Sequence, residues 1–268
     1  MTRPRLADLA SRLVVPVGRR LPANVRRLAN VARGIDTPAL VDRPPGRRVA
    51  VLAPHPDDEL LGCGGTLVKH LAAGEAVAVV FMTSGERTAS FAGRPVAECR
   101  AQREAEAAAA LSAAGLGRVE PVFLRIPEGE VDGHGARLAA ALARLQPDLV
   151  YAPHPVDAHR DHAATTVLLA RLLPGLGGIE RVALYEVWTP LYPNVVVDVT
   201  GAMDAKLAGL ACYRSAMEVV DYARTAAGLG AYRSGQTRHG QGYAEAFCVL
   251  GRAAFLELVG LLVPGPRP

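Results

Sequence analysis

Residues 54–59 read Pro-His-Pro-Asp-Asp-Glu, and residues 153–162 read Pro-His-Pro-Val-Asp-Ala-His-Arg-Asp-His. Imidazoles and carboxylates crowded in this way suit a metal ion that activates water. Hydrolytic zinc sites take three protein ligands from His and Asp or Glu, and keep a fourth position for a water whose pKa falls to about 7. His159 and His162 are three residues apart, the spacing that brings both to one face of a helical turn. With Asp57 and Asp58 adjacent, one carboxylate can bind the metal while its neighbour points elsewhere and serves as a base. The two stretches hold more groups than one metal needs.

The surrounding elements must carry both stretches to one place. The first follows the apolar run Val49, Ala50, Val51, Leu52, Ala53, which reads as a buried strand, and the second follows a similar run at 149–152. Helical patterns at 64–73, 96–114, 136–145 and 161–173 alternate with these strands and with further strands at 76–82 and 119–126. This alternation implies an α/β fold, a Rossmann-like three-layer sandwich whose mostly parallel sheet is covered on both faces. Ligands collect at the carboxyl ends of the strands in such a sheet. The two polar stretches therefore converge on one rim.

The last third carries strands at 181–187, 195–199 and 244–250 and helices at 202–214 and 253–262. Residues 215–242, with glycines at 228, 230, 235, 240 and 242, read as a loop-rich C-terminal cap. With no internal repeat and no low-complexity linker, residues 47–268 read as a single domain that follows a basic N-terminal arm, residues 1–46.

The net charge of +4 is unevenly spread. Residues 1–48 hold eleven Arg against three Asp, a balance of +8, which leaves nineteen bases against twenty-three acids, −4, in the remainder. The arm reads as a solvated segment, or as one docked on the domain, on a partner or on a second subunit of a homo-oligomer. Nucleic acid is not an expected partner. No apolar run approaches the roughly 20 residues of a transmembrane helix. The short run at 13–17, followed closely by arginines, makes a poor signal-peptide core, so a cytoplasmic location is expected. Cys63, Cys99, Cys212 and Cys248 stand far apart, which argues against a disulfide framework and against a Cys-rich zinc site.

The stretch APHPDDELLGCGG (53–65), together with DAHRDHAAT (157–165), resembles the PIG-L/LmbE-like family of zinc-dependent N-deacetylases, whose signatures are A-H-P-D-D-E and a later H-x-D-H. The likeness extends through most of residues 48–250, including LYEVWTPL and the ending YAEAF. It implies that His55, Asp58 and His162 bind zinc and that Asp57 is the general base for the attacking water. It further implies that His159 faces the developing oxyanion, with Asp161 orienting His159 and keeping it protonated. Arg103, in a segment resembling the family's R-x-x-E helix, is then a contact to a sugar hydroxyl or phosphate. The substrate implied is a 2-acetamido sugar such as N-acetylglucosamine on a larger conjugate: a thiol precursor, a glycolipid or a glycosylated natural product. Two positions depart from the family pattern. A proline intervenes in Ala53-Pro54-His55, and Ile126-Pro127-Glu128-Gly129 carries Glu128 where relatives often place Asp-Gly and use that carboxylate on the sugar.

Rival readings attach to the same residues. A carboxylate pair after a strand also suits the first turn of a helix, where Asp favours the positive end of the dipole, and Glu59 is read that way. Gly62-Cys63-Gly64-Gly65 lacks the G-x-G-x-x-G spacing of a dinucleotide site and follows an acidic cluster that would repel a pyrophosphate. Thr83-Ser84-Gly85-Glu86 lacks the G-x-S-x-G of a nucleophile elbow. A metal-dependent esterase or phosphoesterase is the enzymatic alternative. A non-catalytic sugar-binding protein is the other, although a binding protein needs no base beside a metal.

Overall fold

The computed structural model describes residues 37–262. Along the strand Arg48–Ala53, Val49, Val51 and Ala53 pack into one hydrophobic cluster, and Ala50 and Leu52 pack into another. A strand whose alternate side chains are all buried must lie in a sheet covered on both sides. One covering layer supplies Leu60, Leu67, Ala110 and Leu111, and the other supplies Leu138, Leu142, Leu168 and Phe255.

In chain order the elements are β1 (Ala39–Val41), β2 (Arg48–Ala53), α1 (Asp58–Ala72), β3 (Ala76–Thr83), α2 (Val96–Ala113), β4 (Glu120–Ile126), α3 (Gly135–Leu145), β5 (Leu149–Pro153), α4 (Arg160–Leu172) and β6 (Arg181–Tyr185). They continue with β7 (Val195–Asp198), α5 (Met203–Leu210), the short α6 (Arg214–Met217), α7 (Tyr222–Ser234), β8 (Ala244–Gly251) and α8 (Arg252–Leu262). The eight strands lie in the order β1-β7-β8-β6-β5-β2-β3-β4. Only β8 runs against its neighbours β6 and β7; the other pairs are parallel. From β2 the chain moves outward through β3 to β4, then returns to the other side of β2 as β5. The strand order reverses between β2 and β5, so a crevice opens at their carboxyl ends. Both polar stretches leave the sheet there.

Three local features differ from the sequence expectation. The helix after β2 begins at Asp58, not near residue 64, so Asp58 and Glu59 occupy its first turn. Residues 215–242 hold most of α6 and all of α7, so this stretch is more helical than its glycines suggest. The Asp221 side chain accepts the Arg224 N–H and caps α7. Finally, Ala39–Val41, inside the stretch read as the arm, pairs with β7; residues 1–36 lie outside the described residues.

The glycines of the GCGG stretch are packing residues within α1. A Cβ at Gly62 would stand 2.2 Å from the Tyr185 ring, and one at Gly65 would stand 2.6 Å from Val199. All four cysteines are free thiols. Among the described residues no helix is long and apolar enough to cross a membrane.

Candidate metal centre and active site

The end of β2 and first turn of α1 deliver His55, Asp57 and Asp58, and the end of β5 and start of α4 deliver Asp157, His159, Asp161 and His162. The rings of His55, His159 and His162 gather with centroids 4.5–5.4 Å apart. Asp58 Oδ2 lies 3.3 Å from His55 Nδ1 and 3.1 Å from His162 Nε2. Ligand arms of about 2.0–2.1 Å in a tetrahedron give an edge of about 3.3 Å, the spacing that Asp58 Oδ2 keeps from each of the two imidazoles. Both ring nitrogens of His162 and Nε2 of His55 are buried without a hydrogen-bond partner. Buried polar atoms are ordinarily satisfied, and a divalent cation beside Asp58 Oδ2 would satisfy His162 Nε2, while His162 Nδ1 and His55 Nε2 face Asp157 and Asp161. Against the cost of burial, His162 and then His55 hold the Asp58 carboxyl well below its ordinary range, the state a metal ligand needs. Ring nitrogens of His55, His159 and His162 also come within 4.8 Å of one another, as do ligand atoms of His55, Glu128 and Asp161.

Asp57 is held in an unusual backbone conformation, with φ 125°. Positive φ is costly for a side chain with a Cβ and persists where neighbours over-determine it. Glu59 is one such neighbour: it is fully buried, accepts the Asp57 N–H at 3.0 Å and takes a hydrogen bond from the Tyr213 hydroxyl. It does sit in the first turn, as expected, but its carboxylate also pins the residue before the helix. Burial pushes Glu59 up to about 8. Arg103 is the second neighbour, donating to Asp57 Oδ2 at 3.0 Å and to the Pro56 carbonyl. Burial pushes Asp57 up to about 6 while the Arg103 cation pulls the other way.

Arg103, expected as a substrate contact, lines the cavity and is also bound to Asp57. It is 1% exposed, and Glu106 and Ser215 take its other arm. A cation enclosed between two carboxylates serves Asp57 from behind. Glu128 lines the cavity too, with Oε1 accepting the Arg87 N–H at 2.7 Å and burial pushing its carboxyl upward.

Asp161 also differs from expectation. Its carboxylate accepts the Gly129 N–H at 3.0 and 3.1 Å and lies 3.4 Å from His55 Nε2, so its side chain serves His55. What touches the His159 ring is the Asp161 backbone N–H, 3.2 Å from Nδ1. Burial, followed by the neighbouring His55 and His162, lowers the His159 pKa. With Nδ1 accepting a hydrogen bond, the neutral ring carries its proton on Nε2 and remains a donor.

Asp157 is a site residue that the sequence reading passed over. Its Oδ1 lies 3.3 Å from His162 Nδ1 and accepts the His159 N–H, while Oδ2 accepts the Trp188 and Thr189 N–H groups. The first Asp of DAHRDH was the available signal. A carboxylate behind a metal-ligating His fixes ring orientation and raises basicity.

These groups open into a cavity of about 260 Å³ lined by His55, Asp57, Asp58, His159, Glu128 and Trp188, among others. A cluster of His and carboxylate side chains, with the buried Asp57 carboxyl beside it, thus sits at the switch point of the parallel sheet, where α/β folds bind their ligands. Residues 50–173 match the family described as PIG-L: GlcNAc-PI de-N-acetylase. The N,N'-diacetylchitobiose deacetylase from Pyrococcus horikoshii, solved with its inhibitor MPG, is 25% identical with a TM-score of 0.67, covering 78% of this chain and 86% of that chain. The conserved protein TT1542 from Thermus thermophilus is 31% identical with a TM-score of 0.62, covering 75% and 93%. GalB, the 4-carboxy-2-hydroxymuconate hydratase from Pseudomonas putida, shares the fold at 22% identity and a TM-score of 0.64, covering 75% and 95%. Among curated proteins none matches the chain. The chain belongs to the PIG-L family and is a metal-dependent deacetylase.

Proposed function

We propose that the protein removes an N-acetyl group from a 2-acetamido sugar carried on a larger molecule, with zinc held by His55, Asp58 and His162. The observation that carries this reading is Asp58 Oδ2 lying between two imidazoles, 3.3 and 3.1 Å away, in the cavity that Asp57 also lines. The family description and the sugar substrate in the name of the Pyrococcus horikoshii enzyme support the substrate class.

Zinc held there would supply Lewis acidity to the amide carbonyl and lower the pKa of water toward neutrality. Asp57 accepts a proton from the attacking water and passes it to the departing nitrogen, so that a C–O bond forms, the C–N bond breaks and a free amine leaves with acetate as co-product. His159 donates from Nε2 to the acyl oxygen as negative charge develops there. Asp161 and Asp157 orient His55 and His162. Arg103 holds the Asp57 carboxylate in place, and Glu128 reaches a sugar hydroxyl.

A cytoplasmic setting belongs to this reading, since well-separated free thiols suit a reducing compartment. Homo-oligomer formation and docking of the basic arm on a partner or subunit belong to it as well.

The test is release of primary amine from a panel of N-acetylglucosaminyl compounds by protein stripped of metal and then restored with zinc. Zinc-dependent amine release is expected. One equivalent of bound zinc with no amine from any member would overturn the reading.

A further inference from the structure

The cavity has a polar floor and an apolar rim. Asp57 and Asp58 are buried at its base, whereas Trp188 and Val219 at its mouth are 44% and 53% exposed. Trp188 stands against Tyr222, ring centroids 6.1 Å apart and planes inclined at 57°, and Val219 and Val220 line the same cavity. Large apolar groups left open at the edge of a binding cavity mark contact with an apolar part of a ligand. Glu128, Arg87 and Thr88 instead offer polar groups to sugar hydroxyls.

The tryptophan is also registered to the reactive centre. Its backbone N–H donates at 3.0 Å to Asp157 Oδ2, while Oδ1 of that carboxylate faces His162. One side chain thus sets both the metal-binding ring and the start of the apolar rim. At about 260 Å³, just under the roughly 300 Å³ where ordinary small-molecule sites begin, the cavity holds one sugar unit, and whatever the sugar carries must lie over the mouth.

We propose that Trp188, Tyr222 and Val219 form an apolar subsite that reads the aglycone, so that the substrate is a 2-acetamido sugar linked to an alkyl or aryl group. This inference rests on the deacetylase reading above and narrows its substrate class.

The test compares methyl and hexyl N-acetylglucosaminides with the zinc-loaded protein and its Trp188→Ala and Val219→Ser variants. Two methylenes laid on the rim correspond to about tenfold, so kcat/KM is expected to be about tenfold higher for the hexyl glycoside, a ratio that collapses toward one in Trp188→Ala and shrinks in Val219→Ser. Because Trp188 is the single tryptophan of the chain, its fluorescence gives a readout independent of turnover. A blue shift is expected at lower concentrations of hexyl than of methyl glycoside. Equal response to both glycosides, or a Trp188→Ala variant that loses activity on both in the same proportion, would overturn the subsite. Failure of amine release alongside a hexyl-selective shift would overturn the deacetylase reading and leave the subsite supported.

Discussion

The Asp57 carboxylate accepts a 3.0 Å hydrogen bond from Arg103, whose guanidinium is buried against Glu106 on its other side. A cation beside the Asp57 carboxyl stabilises its ionised form. Burial pushes Asp57 up to about 6 even with this cation present, so removing it raises the pKa further. A base must be ionised to work. In Arg103→Gln the acid limb of the kcat/KM profile is therefore expected to move to higher pH, with Arg103→Lys moving less. Breaking a buried pair costs about 3–5 kcal/mol, so Arg103→Gln should also unfold at lower denaturant. A pH profile with an unmoved acid limb would contradict the role given to Arg103.

Asp157 and Asp161 stand behind the rings of His162 and His55, at 3.3 and 3.4 Å. Asp157→Asn and Asp161→Asn are each expected to weaken zinc binding about 10–100-fold, the usual loss for such partners. Competition with a chelator measures this directly, without reference to activity. Unchanged affinity in both variants would place these carboxylates outside the metal centre.

Gly62 lets α1 lie on Tyr185, whose hydroxyl donates to the Leu52 carbonyl at 2.8 Å and so cannot swing away freely. Gly62→Ala drives a methyl into that ring. A loss of about 1–3 kcal/mol is expected, read as a lower denaturant midpoint at unchanged slope. A midpoint equal to that of the parent protein would mean that the helix has room to move.

The parallel sheet and the convergence of two polar stretches were legible in the sequence because both depend on local patterns: apolar runs, helical periodicity and side chains crowded at strand ends. What escaped depends on partners distant in sequence. Arg103 was read as a sugar contact and its hold on Asp57 went unseen, because Pro56 and Asp57, which it binds, lie 47 and 46 residues away. Asp161 was assigned to its close neighbour His159, yet a helix start turns that carboxylate toward Gly129 and His55. Tertiary contact also overrode local propensity in α7, where Gly228 and Gly230 suggested a loop but the helix packs against β8.

In the proposed mechanism Asp57 is the proton acceptor beside a metal it does not bind. Zinc stoichiometry and amine release, measured together on Asp57→Asn, test it most directly. One equivalent of zinc is expected, as in the parent protein, with turnover reduced by about 10²–10⁴-fold. Turnover within about tenfold of the parent would contradict the assignment of the base, and loss of zinc would make Asp57 a ligand instead.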